Sequence, residues 1–472
     1  MTKARVRFSR DKLNAIDFSR MRMSVHPVEF RYFYPQMKSI FTEENTLRLW
    51  LRVEAALAEA HAEVGNIPRE VAEEIRRKAT TKHVTLKRVK EIEKSTRHDL
   101  MAMVLGLTEA CQGEAGKYVH LGVTSEDIKD TARSLQLKEA LVLIYDDLYR
   151  LRDVLVELAD RHKGLVAVGR THGVQASPTT YGIKFAVWAV EIDRHIQRMK
   201  ECEPRLLIGK IMGSTGTQAA LGRRATDIQS KTLGKLGLNE VLVATQILSR
   251  DRHAEFTNLI ALIASTLEKI GTEVRNLQRT EIGEVEEHFA VGEQIGSSAM
   301  PSKRNPIVSE RICGLSRVVR AYASVALQNV TTWHERDLTQ SAPERVVIPT
   351  SCILIDYMLR KMTDVLRNLK LNPDRIKQNL LLTHGLSMSE SVLTRLVEKG
   401  LGRQAAHEIL RKLTNETYEK GTPFDRLLLR DPTVRKYMTE QEIRDALDPS
   451  KFIGTSVERV EKVVQTLRRK GD

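Results

Sequence analysis

The sequence predicts an all-α protein, built in three parts around a bundle of long helices. Apolar residues recur at alternating steps of three and four in two stretches, Leu141–Leu158 and Phe256–Leu277. That spacing is the heptad pattern of long helices that pack with a left-handed crossing. No stretch shows the alternation of apolar and polar residues that a half-buried strand would need. The sequence therefore predicts helices separated by loops.

The longest helices are expected in the middle of the chain, over residues 126–370. A helix from about Asp251 to Glu281 would be roughly 45 Å long, and helices of that length bury an apolar seam only against similar helices. The heptads break at residues 164–178 and 283–306, where glycine and proline interrupt them. A continuous two-stranded coiled coil would not break there, so the pattern favours a bundle.

Shorter elements flank the long-helix domain on both sides. Residues 1–25 form a basic extension with no apolar run behind it, so they do not resemble a secretory signal. Residues 26–125 form an N-terminal helical domain with an amphipathic helix near Glu44–Val64. Glycine and proline recur at short intervals over residues 371–472, and this pattern predicts a small C-terminal domain of short helices.

Composition limits the classes of function. Hydrophobic residues make up 41% and charged residues 29% of the chain, as in soluble globular proteins. No run approaches the ~18 apolar residues of a spanning helix, so we expect no membrane segment. The four cysteines are far apart and form no C-x-x-C pair, which argues against a zinc ribbon or a disulfide framework and favours the cytoplasm.

A net charge of +14 fits either nucleic acid or small anionic ligands. Aromatic residues are only 5% of the chain, and only the N-terminal extension is locally very basic. Nucleic-acid-binding proteins usually show clustered cations with interleaved aromatic residues. We therefore expect no nucleic-acid partner, and a basic helical nucleic-acid-binding protein is kept as the alternative from a different class.

The most specific segment is the loop at residues 292–306. Its glycines and prolines interrupt a regular helix, and it carries two adjacent serines starting at Ser297 and two cations, Lys303 and Arg304. Asn305 reads as the N-cap of the helix that follows. Together with the cations, the amides at that helix start predict an anion site. The alternative is a capped inter-helix loop with two exposed cations.

Three histidines lie beside predicted helix breaks, each next to hydrogen-bonding residues. His98 precedes Asp99, His120 lies shortly before Thr124 and Ser125, and His172 follows Thr171. Taken singly, each reads more simply as a structural or surface histidine. Together they indicate a polar site, since histidine exchanges protons near neutral pH.

A charged turn at residues 333–345 holds Arg336, Ser341 and Arg345. Its plainer interpretation is a solvated turn between helices. Guanidinium groups bind carboxylate and phosphate through paired hydrogen bonds, so the turn is also a candidate clamp for such a group. No common metal or nucleotide-cofactor motif occurs. The sequence therefore predicts chemistry by side chains alone, with no metal and no cofactor.

These segments together resemble the fumarase/aspartase superfamily, whose signature G-S-S-x-M-P-x-K-x-N-P is matched by residues 296–306 at every fixed position. Within it, residues 26–472 resemble the adenylosuccinate lyase family. Arg31-Tyr32, residues 96–99, Gln246 and residues 335–345 follow in that family's order. The chain departs from the family pattern at Ser302, where tyrosine or histidine is common, and at Phe33, where a small residue is common.

The resemblance implies anti β-elimination of fumarate from adenylosuccinate, giving AMP, and from succinyl-aminoimidazole-carboxamide ribotide, giving AICAR. It implies Ser297 as the base, and His172 as the acid for the departing nitrogen, oriented by Glu310. It also implies that Lys303 holds the carboxylate that stabilises the carbanion, while His98 supports the acid or binds phosphate. The implied substrate contacts are Arg31, Tyr32, His98, Asp99, His120, Thr124, Ser125, Thr171, Gln246, Lys303, Asn305, Arg336, Ser341 and Arg345.

The resemblance also implies a homotetramer whose active sites are shared between subunits. Another member of the superfamily, such as an argininosuccinate lyase or a carboxymuconate cycloisomerase, is the second hypothesis for the activity. The two differ in whether AMP and fumarate are released from adenylosuccinate.

Overall fold

A computed structural model describes residues 24–290 and 297–469. Residues 1–23 of the basic extension lie outside the described residues, as do residues 291–296, which include Gly292 and Gly296 of the predicted loop. The helices are α1 (Pro35–Ile40), α2 (Glu43–Glu63), α3 (Arg69–Lys78), α4 (Leu86–Thr96), α5 (Asp99–Ala110), α6 (Ser125–Arg161), α7 (Tyr181–Leu206), α8 (Ala225–Leu236), α9 (Asp251–Leu277), α10 (Ile307–Gln328), α11 (Ser341–Arg367), α12 (Pro373–Leu381), α13 (Ser389–Glu398), α14 (Arg403–Lys420), α15 (Phe424–Arg430), α16 (Pro432–Tyr437), α17 (Glu440–Ala446) and α18 (Ser456–Arg469). The strands are β1 (Val166–Thr171), β2 (Val174–Thr180), β3 (Ile208–Gly209), β4 (Asn239–Glu240), β5 (Val285–Glu286) and β6 (Lys370–Leu371).

The centre of the molecule is a bundle of the long helices α6, α7, α9, α10 and α11. The heptad residues of the two predicted stretches are all buried in it, from Leu141 to Leu158 and from Phe256 to Leu277. Burial of those seams is what makes the long helices stable, because their exposed faces contribute little. The prediction of an all-α fold around a long-helix bundle is confirmed.

The long helix α6 has 37 residues and is therefore about 55 Å long. It begins where the backbone N–H of Thr124 donates to the Asp127 carboxylate at 2.9 Å, which satisfies a polar group at the helix start. It ends at Arg161, shortly before Gly164. The start of α6 and the segment after its end therefore lie at opposite ends of the bundle.

A β-hairpin occupies the first break between long helices, where the sequence predicted no strand. Strands β1 and β2 pair antiparallel, and the two-residue turn between them is His172-Gly173. Both turn residues have positive φ, 56° and 79°, as the tight turns favoured in hairpins require. The expectation was wrong because the pairing of the two strands is irregular. Their register shifts between Val168 and Arg170, which breaks the alternation that reveals a strand.

The apolar core divides into two main regions. One continuous core joins the N-terminal helices to the bundle and also takes in Val460, Val464 and Leu467 of α18. A second core holds the short helices between Val392 and Ala446. The last helix thus packs on α6 and α7, and the three-part division at residues 125 and 370 stays a prediction. Nowhere in the described residues is a helix both long and apolar enough to span a membrane.

Candidate active site

The predicted site residues fall into separate groups at the two ends of the bundle. Gln246 lies just before α9 begins, whereas the loop that carries Ser297 follows after α9 ends. Because α9 has 27 residues, its two ends are about 40 Å apart along the helix axis. Thr124 and the hairpin with His172 are separated by α6 in the same way. One chain alone does not bring the whole predicted set together.

The first group, which we call the clamp end, lies around the start of α6. Arg336 is its centre, since its guanidinium donates to the Glu126 carboxylate at 2.8 Å and to Gln246 Oε1 at 2.9 Å. The Gln246 amide in turn donates to the Ser214 carbonyl at 3.0 Å. The predicted residues of the clamp end are His98, Asp99, His120, Thr124, Ser125, Gln246, Arg336, Ser341 and Arg345.

Asp99 joins two cations at the clamp end. Its carboxylate accepts from Lys129 Nζ at 2.6 Å and from the exposed Arg345 guanidinium at 2.7 Å. Burial alone would raise the pKa of Asp99, but the Lys129 charge and these hydrogen bonds lower it to about 2. Asp99, Ser341 and Arg345 line one cavity of about 270 Å³. Its lining mixes carboxylates with lysine and arginine side chains, so the cavity is polar and carries both signs of charge.

The two histidines of the clamp end have different environments. His120 is mostly buried and its Nδ1 lies 2.6 Å from a carboxylate oxygen of buried Glu54. Burial opposes the charged form, but the hydrogen bond to Glu54 and the charges of Glu54 and Asp127 together outweigh it and raise the pKa of His120. His98 is half-exposed, and its Nδ1 accepts from the Met101 amide at 3.3 Å at the start of α5. Both are held by defined partners.

Thr124 and Ser125 are placed by the buried carboxylate of Asp127. Thr124 is the N-cap residue and Ser125 the first residue of α6. Asp127 also accepts from the backbone amides of Met212 and Gly213, each at 2.9 Å. The start of α6 is therefore fixed against the loop that supplies Ser214, and so against Gln246.

The second group, the loop end, contains Ser297. The Ser297 Oγ accepts from the backbone amides of Ala299 at 3.3 Å and Met300 at 3.1 Å. Hydrogen bonds donated to a hydroxyl oxygen favour its ionised form. The local turn thus supplies part of the stabilisation that a serine base requires.

Lys303 and Glu310 are exposed, and Asn305 is partly buried, around the start of α10. The predicted capping here was wrong, because Pro306 and not Asn305 occupies the N-cap position. The part of the predicted anion site that was assigned to the amides of this helix start was also wrong, whereas the role of Lys303 stays a prediction. The amides of Val308 and Ser309 both donate to the Glu287 carboxylate, at 2.9 Å each. A carboxylate of the protein itself fills that position.

Thr171 and His172 are exposed at the tip of the hairpin. The strand positions next to the tip are fixed, since Arg170 forms an ion pair with buried Glu284 and Gln175 Nε2 donates to the Asn379 carbonyl at 3.0 Å. The tip therefore projects from anchored strand positions.

Arg31 and Tyr32 lie in a third place, beside α10 and the middle of α11. The Tyr32 ring packs 5.7 Å from the Tyr357 ring, and the Arg311 guanidinium lies 5.9 Å from the centre of the Tyr32 ring. Twelve residues of α11 separate Tyr357 from Arg345, about 18 Å along the helix. The predicted phosphate and ribose contacts are therefore split within one chain.

Several residues of these groups were missed in the sequence. Glu126 and Lys129 lie one and four positions after Ser125 and contact Arg336 and Asp99. Glu284 and Glu287 precede the loop and hold its surroundings. The signal was the acidic run at residues 284–287, but its partners are up to 114 positions away in sequence.

No set of three or more metal-binding side chains comes together in the described parts of the chain.

Comparison with known proteins gives two family matches. Residues 29–321 match the family described as Lyase, and residues 385–463 match the family described as Adenylosuccinate lyase C-terminus. A curated relative named adenylosuccinate lyase, from Methanocaldococcus jannaschii, is 48% identical over 97% of this chain and 99% of its own length. One of the same name from Pyrococcus abyssi is 48% identical over 95% of this chain and 100% of its own.

Two solved structures share the fold. A fumarate lyase from Mesorhizobium sp. BNC1 superposes with a TM-score of 0.85 at 31% identity, covering 92% of this chain and 98% of the other. A 3-carboxy-cis,cis-muconate lactonizing enzyme from Pseudomonas putida also has a TM-score of 0.85 and 31% identity, covering 93% and 98%.

Proposed function

The chain belongs to the adenylosuccinate lyase family, and on that premise we propose that it eliminates fumarate from adenylosuccinate and from succinyl-aminoimidazole-carboxamide ribotide. The observation that carries the proposal is the similarity to relatives of that name, 48% identical over 97% of the chain. The match of residues 385–463 to the C-terminal family favours it further over the other activities of the superfamily. The carboxymuconate alternative is supported only by structural neighbours at lower identity, 31%.

The reaction needs a base for a weakly acidic C–H and an acid for the nitrogen that leaves. In our proposal Ser297 Oγ removes the proton from the carbon next to the C–N bond. The C–N bond then breaks, its electron pair passes to the nitrogen, and His172 donates a proton to that nitrogen. Fumarate and the amino nucleotide result. The two amides that donate to Ser297 Oγ, at 3.3 and 3.1 Å, support this role for Ser297.

The carbanion that forms spreads its charge into the neighbouring carboxylate. We assign Lys303 and Asn305 to hold that carboxylate, because a cation and an amide placed at developing charge typically contribute about 3 kcal/mol. Glu310, one turn into α10, is assigned to orient His172. Thr171 lies next to His172 at the hairpin tip and is assigned to the same carboxyl-bearing part of the substrate.

The clamp end is assigned to the rest of the substrate. Arg336, Ser341 and Arg345, with Arg31 and Tyr32, would hold phosphate and ribose. Thr124, Ser125 and Gln246 would hold the succinyl part. His98 and His120 would bind phosphate or support the acid, and Asp99 is a further predicted substrate contact. Ser341 and Arg345 both line the cavity of the clamp end, so a ligand in that cavity could reach both side chains.

A complete site then needs more than one chain, and we propose a homotetramer with shared active sites. The separation of about 40 Å along α9 supports this, as does the exposure of both His172 and Glu310 in the single chain. Large apolar side chains are also exposed on the bundle helices, among them Val142, Val187 and Leu262. Neighbouring subunits would cover them.

We further propose that the protein works in the cytoplasm without a metal or cofactor. Its four cysteines are free thiols, which suits a reducing compartment.

The experiment is to add adenylosuccinate to the purified full-length protein and follow absorbance, with AMP and fumarate measured by chromatography. Argininosuccinate and a carboxymuconate serve as comparison substrates. Release of AMP and fumarate supports the proposal, and turnover of a comparison substrate instead would refute it. Tight, strongly salt-dependent DNA or RNA binding without turnover would favour the alternative from a different class.

A further inference from the structure

An acidic segment, Glu284, Glu286 and Glu287, lies between the hairpin and the loop that carry the proposed catalytic residues. None of the three carboxylates belongs to the catalytic set of the proposed function. Each accepts hydrogen bonds from a neighbouring part of the site: Glu284 from the hairpin, Glu286 from Arg304, and Glu287 from the start of α10. The segment therefore contacts both the hairpin that carries His172 and the region around the loop that carries Ser297.

Glu284 holds the hairpin near its tip and the helix that follows it. It is 1% exposed and accepts from the Arg170 guanidinium, from Tyr181 Oη at 2.6 Å and from Asn379 Nδ2 at 2.9 Å. Arg170 lies two residues before His172, and Tyr181 begins the helix that follows the hairpin. A buried carboxylate with three donors holds its partners in one arrangement.

Glu287 fixes the helix that follows the loop. It is 4% exposed, and its carboxylate accepts from the amides of Val308 and Ser309 at 2.9 Å and from Ser309 Oγ at 2.6 Å. A carboxylate at a helix start satisfies free amides and interacts favourably with the helix dipole. Lys303 and Asn305 lie directly before this helix, so its position sets theirs.

We propose that Glu284 and Glu287 are positioning residues for the proposed elimination, Glu284 for the hairpin with His172 and Glu287 for the loop arm with Lys303 and Asn305. Neither touches the reacting atoms. Only two residues separate Glu284 from Glu287. One short segment of the chain therefore holds both the hairpin with His172 and the helix start that follows Lys303 and Asn305. This inference rests on the proposed function.

The two residues should affect different kinetic constants. Loosening the hairpin misplaces the proton donor, which acts only in the transition state, so kcat falls. Thr171 is one of several groups assigned to the substrate carboxylates, so KM should change little. Loosening the start of α10 moves Lys303 and Asn305, which also bind the ground-state carboxylate, so KM rises as well. A displacement of about 1 Å can lower a rate on the order of 100-fold.

The test compares Glu284→Gln and Glu287→Gln in the full-length protein, with Glu281→Gln as the matched control. Glu281 lies three residues before Glu284, and its carboxylate is exposed and pairs only loosely with Arg279, at 3.5 Å. For Glu284→Gln we expect kcat to fall about 10- to 100-fold with KM changed less than about 3-fold. For Glu287→Gln we expect KM to rise about 10-fold, and for the control no change.

The inference would be overturned if both variants lost activity equally and in proportion to their loss of thermal stability. Wild-type kinetics in either variant would also overturn it. If Glu284→Gln does not fold, Tyr181→Phe replaces it in the test, because that variant removes one hydrogen bond to Glu284 and keeps the ring. A lower kcat with unchanged KM in Tyr181→Phe supports the inference, and unchanged kcat overturns it. Failure of the wild-type protein to release fumarate would instead refute the proposed function.

Discussion

Lys210 and Asp127 form an ion pair in which both side chains are completely buried beneath the start of α6. Asp127 also accepts from the amides of Met212 and Gly213, so it joins the clamp end to the loop that supports Gln246. A buried pair of this kind adds little over an apolar pair, but loss of one partner leaves an uncompensated charge.

Lys210→Met should therefore lower the free energy of unfolding by about 3–5 kcal/mol. Urea denaturation followed by circular dichroism measures it. Lys117→Met is the control, because the Lys117–Glu114 pair is exposed and such pairs contribute at most ~1 kcal/mol. Equal, small losses in both variants would show that the buried pair has no special role.

Ser297→Ala should lower kcat by about 1,000-fold or more, as expected for removal of a catalytic base. Substrate binding should remain, because the clamp end is unchanged. Steady-state kinetics with adenylosuccinate and binding by calorimetry check both statements. Ser298→Ala is the neighbouring control and should retain most of the activity. If Ser297→Ala keeps its kcat, another group is the base.

His172→Gln should lower kcat by about 100-fold or more. If His172 and Ser297 of one chain serve different sites, mixing inactive His172→Gln and Ser297→Ala chains and reassembling them should restore activity. Random mixing in a symmetric oligomer would rebuild up to about one quarter of the sites. Absence of any recovery, with mixed oligomers detected by mass spectrometry, would place both residues in the same site.

Asp147 and Asp356 lie together between α6 and α11, with Arg360 within 3.2 Å of Asp147 and 2.9 Å of Asp356. Burial, and then the neighbouring Asp356 carboxylate, raises the pKa of Asp147 to about 8. The folded protein therefore holds a proton that the unfolded chain releases near pH ~4. Stability should fall as pH rises from about 4 towards 8.

Asp147→Asn removes this titration, so its melting temperature should fall less than that of the wild type between pH 5 and pH 8. Scanning calorimetry at intervals of one pH unit measures the difference. The exposed Asp146→Asn is the matched control and should follow the wild type. Parallel curves for Asp147→Asn and wild type would contradict the raised pKa.

The sequence predicted the bundle well because a heptad seam reports burial locally. Leu148 and Leu267 are fully buried, as their spacing required. The hairpin was missed because the register of its strands shifts between Val168 and Arg170. The capping of α10 was assigned to Asn305, whereas Glu287, 21 positions before Val308, provides the carboxylate.

The candidate site was predicted only as a set of residues. Local motifs identify Ser297 and Arg336, but they contain no information on distance between segments. The hydrogen bond between Arg336 and Glu126 joins residues 210 positions apart. Ser341 and Arg345, which were predicted to share a ligand with Tyr32, lie elsewhere on α11. Contacts of that kind follow from packing of the whole bundle, and those between chains follow from assembly.

The length of α6 has a consequence for how this enzyme can diverge. Inserting one residue in a continuous helix turns one end by about 100° relative to the other and shifts it by about 1.5 Å. In α6 such a change would rotate Thr124 and Ser125 out of phase with the hairpin that carries His172. Substitutions of similar volume along the seam leave both ends in place. We therefore expect descendants of this chain to vary the composition of α6 freely while keeping its residue count, with insertions and deletions confined to loops away from the bundle ends.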